Sequence, residues 1–391
     1  MQRHASTLIL FALLAAALSG CKKSEAPQAA ASGDELVVRI GAAAPLTGPQ
    51  AHIGKDNENG TRMAIEDANA QGIMIGGRKA RFELLSEDDQ TDPKVATIVA
   101  QKLVDAKVNG IIGHLNSGTT IPASRIYNDN GIAQISPSAT AVKYTAQGFR
   151  NAFRVMSNDA QQGKVLGEFA AKNLHARTIA VIDDRTAYGQ GIADEFIKAA
   201  QANGAQIVAH EYTNDKAVDF TAVLTSVKGK QPDLLFYGGM DPQGVPMVKQ
   251  LRALGLNATF MMADGGYTPK MIDLAGAAAE GMYASLPGVP LDKMPGGRDF
   301  AKRYEAQFKQ PIQLYAPYCY DAVNVMIAAM QKAGSAEPAK YLPALATIKH
   351  DGVTAHIEFD DKGDLKGGAI TVYRVQQGKW QAVETLGGAA H

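Results

Sequence analysis

Two short segments rich in hydroxyl side chains could hold an anion. Residues 113–122 include Ser117, and the other segment is Ser138-Ala139-Thr140. Each follows an apolar run typical of a strand, and the first also precedes a helical pattern, where free N–H groups and the helix dipole favour negative charge. Neither segment contains Arg or Lys, which favours a single carboxylate over a phosphate ester. Helix capping by Ser or Thr explains the first segment equally well.

An acid and a tyrosine in the second half of the chain could meet a cationic group. Asp264 follows the apolar run 259–263, and Tyr188 lies between another apolar run and a helical pattern. Taken singly, Asp264 is typical of a turn and Tyr188 of a packed aromatic. If the two halves face each other, a ligand with one carboxylate and one ammonium is satisfied from both sides. Its apolar remainder could then meet residues Ile53, Leu115 and Met240.

Enzyme signatures are missing from the sequence. Residues 48–55 resemble a phosphate-binding loop, but one residue too many precedes the Gly-Lys pair, and Asp56 stands where Ser or Thr is needed. No GxGxxG opens a helix, and no GxSxG nucleophile elbow occurs. The histidines form no metal-ligand pair at helical spacing. We therefore expect no catalytic residue, no cofactor and no metal.

The elements that must position these residues alternate between strands and helices. In the first series the predicted strands are 36–43, 80–86, 108–115 and 132–136, with helices at 57–69, 93–105 and 121–128. In the second series the strands are 178–182, 206–210, 233–237 and 259–263, with helices at 160–173, 191–202, 220–227 and 242–254. Two such series predict an α/β protein with two doubly wound, Rossmann-like lobes. The remaining elements, from residue 281 onward, are too few for a third domain and should complete the first two.

Composition limits the classes of partner. The 391 residues include 39 Lys+Arg and 39 Asp+Glu, and the pI is near neutral, which argues against non-specific binding of nucleic acid. Apolar residues make up 46% and charged residues 20%, a globular composition. We expect two lobes and no nucleic-acid partner.

The N-terminus carries a targeting signal. An apolar run at 7–18 is too short to span a bilayer as a helix, which takes about 20 residues. It ends in Leu18-Ser19-Gly20-Cys21, which resembles the cleavage signal of bacterial lipoproteins. We therefore expect a signal peptide at 1–20, lipidation of Cys21 and a flexible tether at 21–35. An ordinary signal peptide is the alternative. Cys319 is expected to be an unpaired, packed thiol.

The mature chain resembles the periplasmic leucine/isoleucine/valine-binding proteins, the substrate-binding components of ABC importers of branched-chain amino acids. The resemblance covers nearly the whole mature chain and is carried by short segments in matching order and spacing. These are Leu46-Thr47-Gly48-Pro49, Gly113-His114-Leu115, Thr120 with Pro122-Ala123-Ser124, Ile135-Ser136-Pro137 with Ala139-Thr140, Tyr188-Gly189 with Gly191, Tyr237-Gly238-Gly239, Glu280-Gly281-Met282 and Asp361-Lys362-Gly363-Asp364-Leu365-Lys366-Gly367.

The resemblance implies a two-lobed, Venus-flytrap fold whose chain crosses between the lobes three times, near residues 155, 286 and 365. The N-terminal lobe would then comprise 36–155 and 287–365, and the C-terminal lobe 156–286 and 366–391.

The same resemblance implies the roles of the site residues. Ser117 and the loop of Ser138, Ala139 and Thr140 would hold the ligand carboxylate. Asp264 would meet the ammonium, supported by Tyr188.

Several positions differ from well-known members of that family. The acid is often Glu, whereas Asp264 is one methylene shorter, and Ile53 and Met240 stand where those members have aromatic residues. Two cysteines that pair in a relative correspond to Thr91 and Asn116 here. These changes leave the side chain of the ligand open.

The resemblance also implies a location and partners. We expect a monomeric periplasmic protein, anchored through Cys21, that delivers an amino acid to an ABC permease. Alternatives are a short amide, a urea-like compound or an aromatic acid as ligand. A sensory role, or an exported enzyme that uses the same cleft, are further alternatives.

Overall fold

The computed structural model describes residues 35–388. The predicted lipidation site Cys21, the signal peptide and nearly all of the tether lie outside that range. Within it, no helix is both long enough and apolar enough to cross a bilayer.

The first lobe is built on a six-stranded sheet with the strand order β2-β3-β1-β4-β5-β6. Its strands are β1 Leu36–Ala44, β2 Met74–Ile75, β3 Arg78–Asp88, β4 Gly110–Gly113, β5 Gln134–Ser136 and β6 Ala152–Arg154. All neighbours are parallel except the short pair β2–β3. Every residue of β4 and β5 is buried, as expected for strands covered on both faces.

The second lobe is built on a seven-stranded sheet with the order β15-β14-β11-β10-β9-β7-β8. Its strands are β7 Thr178–Asp183, β8 Gln206–Tyr212, β9 Leu234–Gly238, β10 Thr259–Met262, β11 Tyr283–Pro287, β14 Ala369–Gln376 and β15 Lys379–Gly387, while β12 Lys349–Asp351 and β13 His356–Glu358 form a separate hairpin. Strands β14 and β15 add to the parallel sheet as an antiparallel edge.

Helices cover the sheets and return the chain between them. They are α1 Ala51–Gln71, α2 Pro93–Asp105, α3 Ser117–Asp129, α4 Lys143–Ala146, α5 Asp159–Lys172, α6 Ala187–Ala202, α7 Thr221–Lys228, α8 Asp241–Ala253, α9 Pro269–Ala275, α10 Gly297–Phe308, α11 Ala316–Ala333 and α12 Pro338–Ala346. After β11 the chain leaves the second sheet, because α10 and α11 pack on α1 and α11 also packs on β4 and β5. It then returns as β14 and β15, which confirms the predicted class of two α/β lobes with interleaved connectivity. The exact lobe limits stay a prediction.

Helix α1 begins at Ala51, six residues before the predicted start at 57. Gly54 in its first turn lowers the helix propensity of this segment, so the sequence pattern places the start too late. The close packing of that turn explains the glycine, since a Cβ there would lie 1.8 Å from the carbonyl oxygen of Pro45. The early start is what brings His52 and Ile53 into the helix. The predicted strand at 108–115 is shorter, 110–113, because the chain then turns into α3.

Candidate functional site

The two hydroxyl-rich loops lie side by side. Strands β4 and β5 are parallel neighbours, with Ile111 opposite Gln134, so their carboxyl ends meet at one edge of the sheet. The loops that follow are joined by two hydrogen bonds. The N–H of Ala141 donates to Oγ of Ser117 at 3.1 Å, and the Ser138 hydroxyl donates to the carbonyl of Leu115 at 3.1 Å.

These bonds distinguish the three predicted hydroxyl ligands from one another. Ser117, the first residue of α3, only accepts in its bond, so its own O–H remains available to a carboxylate. The Ser138 O–H is already donated within the protein. The buried hydroxyl of Thr140 has no hydrogen-bond partner among residues 35–388. Ser117 and Thr140 are therefore the side-chain donors that this loop pair can offer.

Asp264 lies at the carboxyl end of β10 and is 1% exposed. Its Oδ1 accepts hydrogen bonds from the Tyr188 hydroxyl at 2.7 Å and from Nε2 of Gln162 at 2.8 Å. Its Oδ2 accepts one from the Tyr315 hydroxyl at 2.6 Å. Burial raises the pKa of the Asp264 carboxyl, and the hydrogen bonds from Tyr315, Tyr188 and Gln162 oppose that rise. The carboxylate is thus held in place by three neutral donors.

Tyr188 approaches this acid because the chain after β10 makes a tight turn. The N–H of Gly265 donates to the Tyr188 hydroxyl at 3.0 Å. A Cβ on Gly265 would lie 2.6 Å from the carbonyl oxygen of Gly239, so only glycine allows this close approach. Burial and the charge of Asp264 raise the pKa of the Tyr188 and Tyr315 hydroxyls well above the ordinary value. Both phenols therefore remain protonated donors.

Tyr315 belongs to the first lobe and immediately precedes α11. The backbone there is fixed by Asp56 of α1, whose Oδ2 accepts the N–H groups of Leu314, Tyr315 and Ala316 at 2.8–2.9 Å. Asp56 is fully buried and satisfies donors that the start of a helix leaves free. It thereby orients Tyr315 toward the acid of the other lobe.

Asp159 adds a second carboxyl group beside Asp264. It is the first residue of α5, is 0% exposed, and its N–H donates to the carbonyl of Thr140 at 2.8 Å. Neither carboxyl oxygen has a hydrogen-bond partner in the part of the chain that the structure describes. Burial, and then the charge of Asp264, raise the pKa of Asp159 to about 8, and Thr140 and Arg154 only partly oppose the rise.

Arg154 links the loop that contains Ala139 and Ala141 to Asp364 and to the start of α5. Its fully buried guanidinium donates through Nη1 to the carbonyls of Ala139 at 2.8 Å and Ala141 at 3.1 Å. Its Nε donates to Oδ1 of Asp364, and Oδ2 of Asp364 accepts from Asn158, the N-cap of α5. The backbone on either side of Thr140 is therefore held by Arg154, whose own charge is paired with Asp364.

The predicted apolar contacts are also buried. Ile53, Leu115 and Met240 are at most 6% exposed, and all three belong with Tyr188 to one apolar cluster that spans both lobes. Met240 lies close to the acid, since a Cβ on Gly265 would be 2.8 Å from its sulfur. Cys319 is buried and free, as predicted, and burial raises its pKa well above the ordinary value.

The sequence interpretation missed Asp159, Gln162 and Tyr315. The first two lie in the opening turn of α5, whose start was predicted one residue late, at 160. The capping box formed by Asn158 and Gln161 indicates that the helix starts at 159. Tyr315 carried no comparable signal, because its place depends on a long-range contact with Asp56.

Comparison with known proteins agrees with this architecture. The sequence profile of the periplasmic binding protein family matches residues 37–379. The leucine-, isoleucine-, valine-, threonine- and alanine-binding protein of Pseudomonas aeruginosa is 36% identical, over 86% of this chain and 89% of that protein. The leucine-specific-binding protein of Salmonella typhimurium is 33% identical, over 96% of this chain and 97% of that protein.

A solved structure shares this fold. The crystal structure of a leucine-binding protein from Thermotoga maritima superposes with a TM-score of 0.83 at 25% identity, covering 89% of this chain and 98% of that one. Two α/β lobes, a profile match over residues 37–379 and relatives more than 30% identical over most of their length lead to one conclusion: this chain belongs to the periplasmic binding protein family, among relatives named for leucine, isoleucine and valine.

Proposed function

We propose that this chain is an extracytoplasmic substrate-binding protein that captures an α-amino acid, most readily leucine, isoleucine or valine, and delivers it to an ABC permease. The observation that carries the proposal is the Asp264 carboxylate. It is buried and bonded to Tyr315 of the other lobe. The neighbouring Asp159, whose pKa its charge raises, donates its N–H to Thr140 in the hydroxyl-rich loop pair, which contains no Lys or Arg. A zwitterion matches such a pair of surfaces, with its ammonium toward Asp264 and its carboxylate toward Ser117 and Thr140.

The carboxylate end is supported by the fold as well as by the side chains. Ser117 begins the 13-residue helix α3, whose first-turn N–H groups and dipole favour an anion. Arg154 occupies the carbonyls of Ala139 and Ala141, so these oxygens do not repel a carboxylate as free acceptors would. The ligand-binding roles of Ser138 and Ala139 are proposed through this loop's backbone and shape.

Capture is proposed to work by closure of the two lobes. Contacts already cross the cleft, since Tyr315 of the first lobe bonds to Asp264 of the second. A ligand stabilises the closed state only by touching both lobes at once, as a zwitterion between these surfaces would. No covalent chemistry is needed, so we propose a binding protein and not an enzyme.

The names of relatives support the ligand class. The proteins from Pseudomonas and Salmonella are named for branched-chain and small neutral amino acids. Ile53, Leu115 and Met240 are buried in the same apolar cluster as Tyr188, and they suit an aliphatic side chain. We further propose a monomer, tethered to the membrane through lipidated Cys21.

A thermal-shift screen tests this function. A ligand at about 100 times its dissociation constant stabilises the folded state by about 2.7 kcal/mol. We expect stabilisation by L-leucine, L-isoleucine or L-valine, and none by the matched 4-methylpentanoate, which lacks the ammonium. Stabilisation by benzoate, urea or acetamide instead of any amino acid would contradict the proposal.

A further inference from the structure

Asp159 is a buried acid that simple recognition of a zwitterion does not require. One counter-charge, that of Asp264, is enough for the proposed ammonium, and this carboxylate already has three donors. Asp159 has only the nearby Thr140 hydroxyl, which lowers its pKa but forms no hydrogen bond to either carboxyl oxygen within residues 35–388. An ionised carboxylate in such a place is costly, because burial removes water without supplying hydrogen bonds. The cost must be removed by a proton or by a cation.

The groups that act on Asp159 favour the neutral acid. Asp264 lies on the turn after β10, and Glu195 on α6 adds a second negative charge. The phenols of Tyr188 on α6 and Tyr315 before α11 stay neutral. Arg154 on β6 is the one cation among the described groups that act on it most strongly, and its guanidinium is committed to Asp364 and to backbone carbonyls.

The charge balance of the closed cleft also favours a protonated Asp159. Asp264 contributes one negative charge, a bound zwitterion contributes none, and Arg154 is matched by Asp364. An ionised Asp159 would add a second buried negative charge with no counter-charge. A proton on Asp159 removes it, and the resulting O–H can donate to a neighbouring oxygen.

We propose that closing the lobes around an amino acid makes Asp159 take up one proton, so that ligand capture strengthens as the pH falls. This inference rests on the proposed function, because it concerns the same cleft and the same class of ligand. It adds a proton as a second species that is bound together with the amino acid.

The direction of the pH dependence follows from the two states. When the cleft opens to water, the carboxyl should approach its ordinary pKa of 3.8. In the structure, where Tyr315 bonds across to Asp264 in what we take as the closed arrangement, the pKa is about 8. Between these values the closed form carries a proton that the open form lacks. The dissociation constant should therefore rise by about tenfold per pH unit across most of that window and level off above pH 8.

Calorimetry of L-leucine binding tests this inference. Titrations at pH 7 in phosphate and in Tris, which differ in ionisation enthalpy, count the protons taken up. Wild-type protein should take up close to one proton per leucine. Asp159→Asn mimics the neutral acid and should take up almost no proton. Its dissociation constant for leucine should not change from pH 6 to 8. At pH 8 it should bind leucine no more weakly than the wild type does. Glu195→Gln is the matched control and should keep the uptake.

The outcomes are distinguishable. Leucine binding by the wild type without proton uptake would overturn the inference and leave the proposed function standing. A loss of affinity of more than tenfold in Asp159→Asn at every pH would also overturn it, since Asp159 would then be an ionised partner of the ammonium. A wild-type protein that binds no leucine at any pH would overturn the proposed function, and this inference with it.

Discussion

The hydroxyl of Tyr315 and the carboxylate of Asp264 join the two lobes at a separation of 2.6 Å. Tyr315 precedes α11, which packs on the first sheet, and Asp264 follows β10 in the second sheet. Both residues are buried. A single hydrogen bond thus couples the acid proposed to bind the ligand to the other lobe.

Tyr315→Phe should weaken leucine binding while leaving the lobes folded. Losing a hydrogen bond to a charged group typically costs about 1.5–3 kcal/mol, so the dissociation constant should rise by about 10- to 100-fold. Calorimetry measures the change. Tyr341→Phe is the control, because the buried Tyr341 hydroxyl donates to the backbone carbonyl of Asn109, away from the cleft. A control variant that loses as much affinity would contradict a specific role for Tyr315.

His52→Ala should speed the release of ligand. Nε2 of His52 on α1 lies 2.8 Å from Oδ2 of Asp241 on α8, so this pair also crosses the cleft. His210 pairs with Asp183 at the same distance but within the second lobe, which makes His210→Ala a matched control. We expect a dissociation rate several-fold higher for His52→Ala only, measured by stopped-flow release. Equal rates in the two variants would show that the cross-lobe pair does not hold the cleft closed.

Met240→Ala should reduce the affinity for L-leucine more than that for L-alanine. Met240 is buried beside the proposed ammonium site, and each buried methylene contributes about 0.8 kcal/mol. A loss of about 1–2 kcal/mol for leucine with little change for alanine is expected. Comparative titrations of the two amino acids measure it. A parallel loss for both ligands would place Met240 outside the side-chain pocket.

Cys21→Ser should release the protein from the membrane. The proposed lipid on Cys21 anchors by burying acyl chains, at about 0.8 kcal/mol per methylene. We expect the wild-type chain in the membrane fraction after export and the variant in the soluble fraction, as judged by fractionation and intact-mass measurement. A mature wild-type chain without the acyl mass would favour an ordinary signal peptide.

The sequence predicts those parts of the site that depend on local patterns. Loops at the carboxyl ends of buried strands carry Ser117, Thr140 and Asp264, so the α/β alternation is enough to place them at the carboxyl edges of the two sheets. Residues placed by long-range contacts were not accessible in this way. Tyr315 depends on a hydrogen bond from its backbone to Asp56, 259 positions earlier in the chain. Strand β15 was missed because an edge strand with one solvent-facing side lacks a continuous apolar run.

Calorimetric titration of L-leucine into the wild type, Asp264→Asn and the exposed control Asp219→Asn tests the central claim most directly. Removing one partner of a buried charge pair costs about 3–5 kcal/mol, so Asp264→Asn should weaken binding by at least 100-fold. Asp219→Asn should bind like the wild type, since that exposed carboxylate accepts from Thr221 at the surface. Unchanged affinity in Asp264→Asn, with the fold intact by circular dichroism, would contradict the assignment of Asp264 to the ligand ammonium.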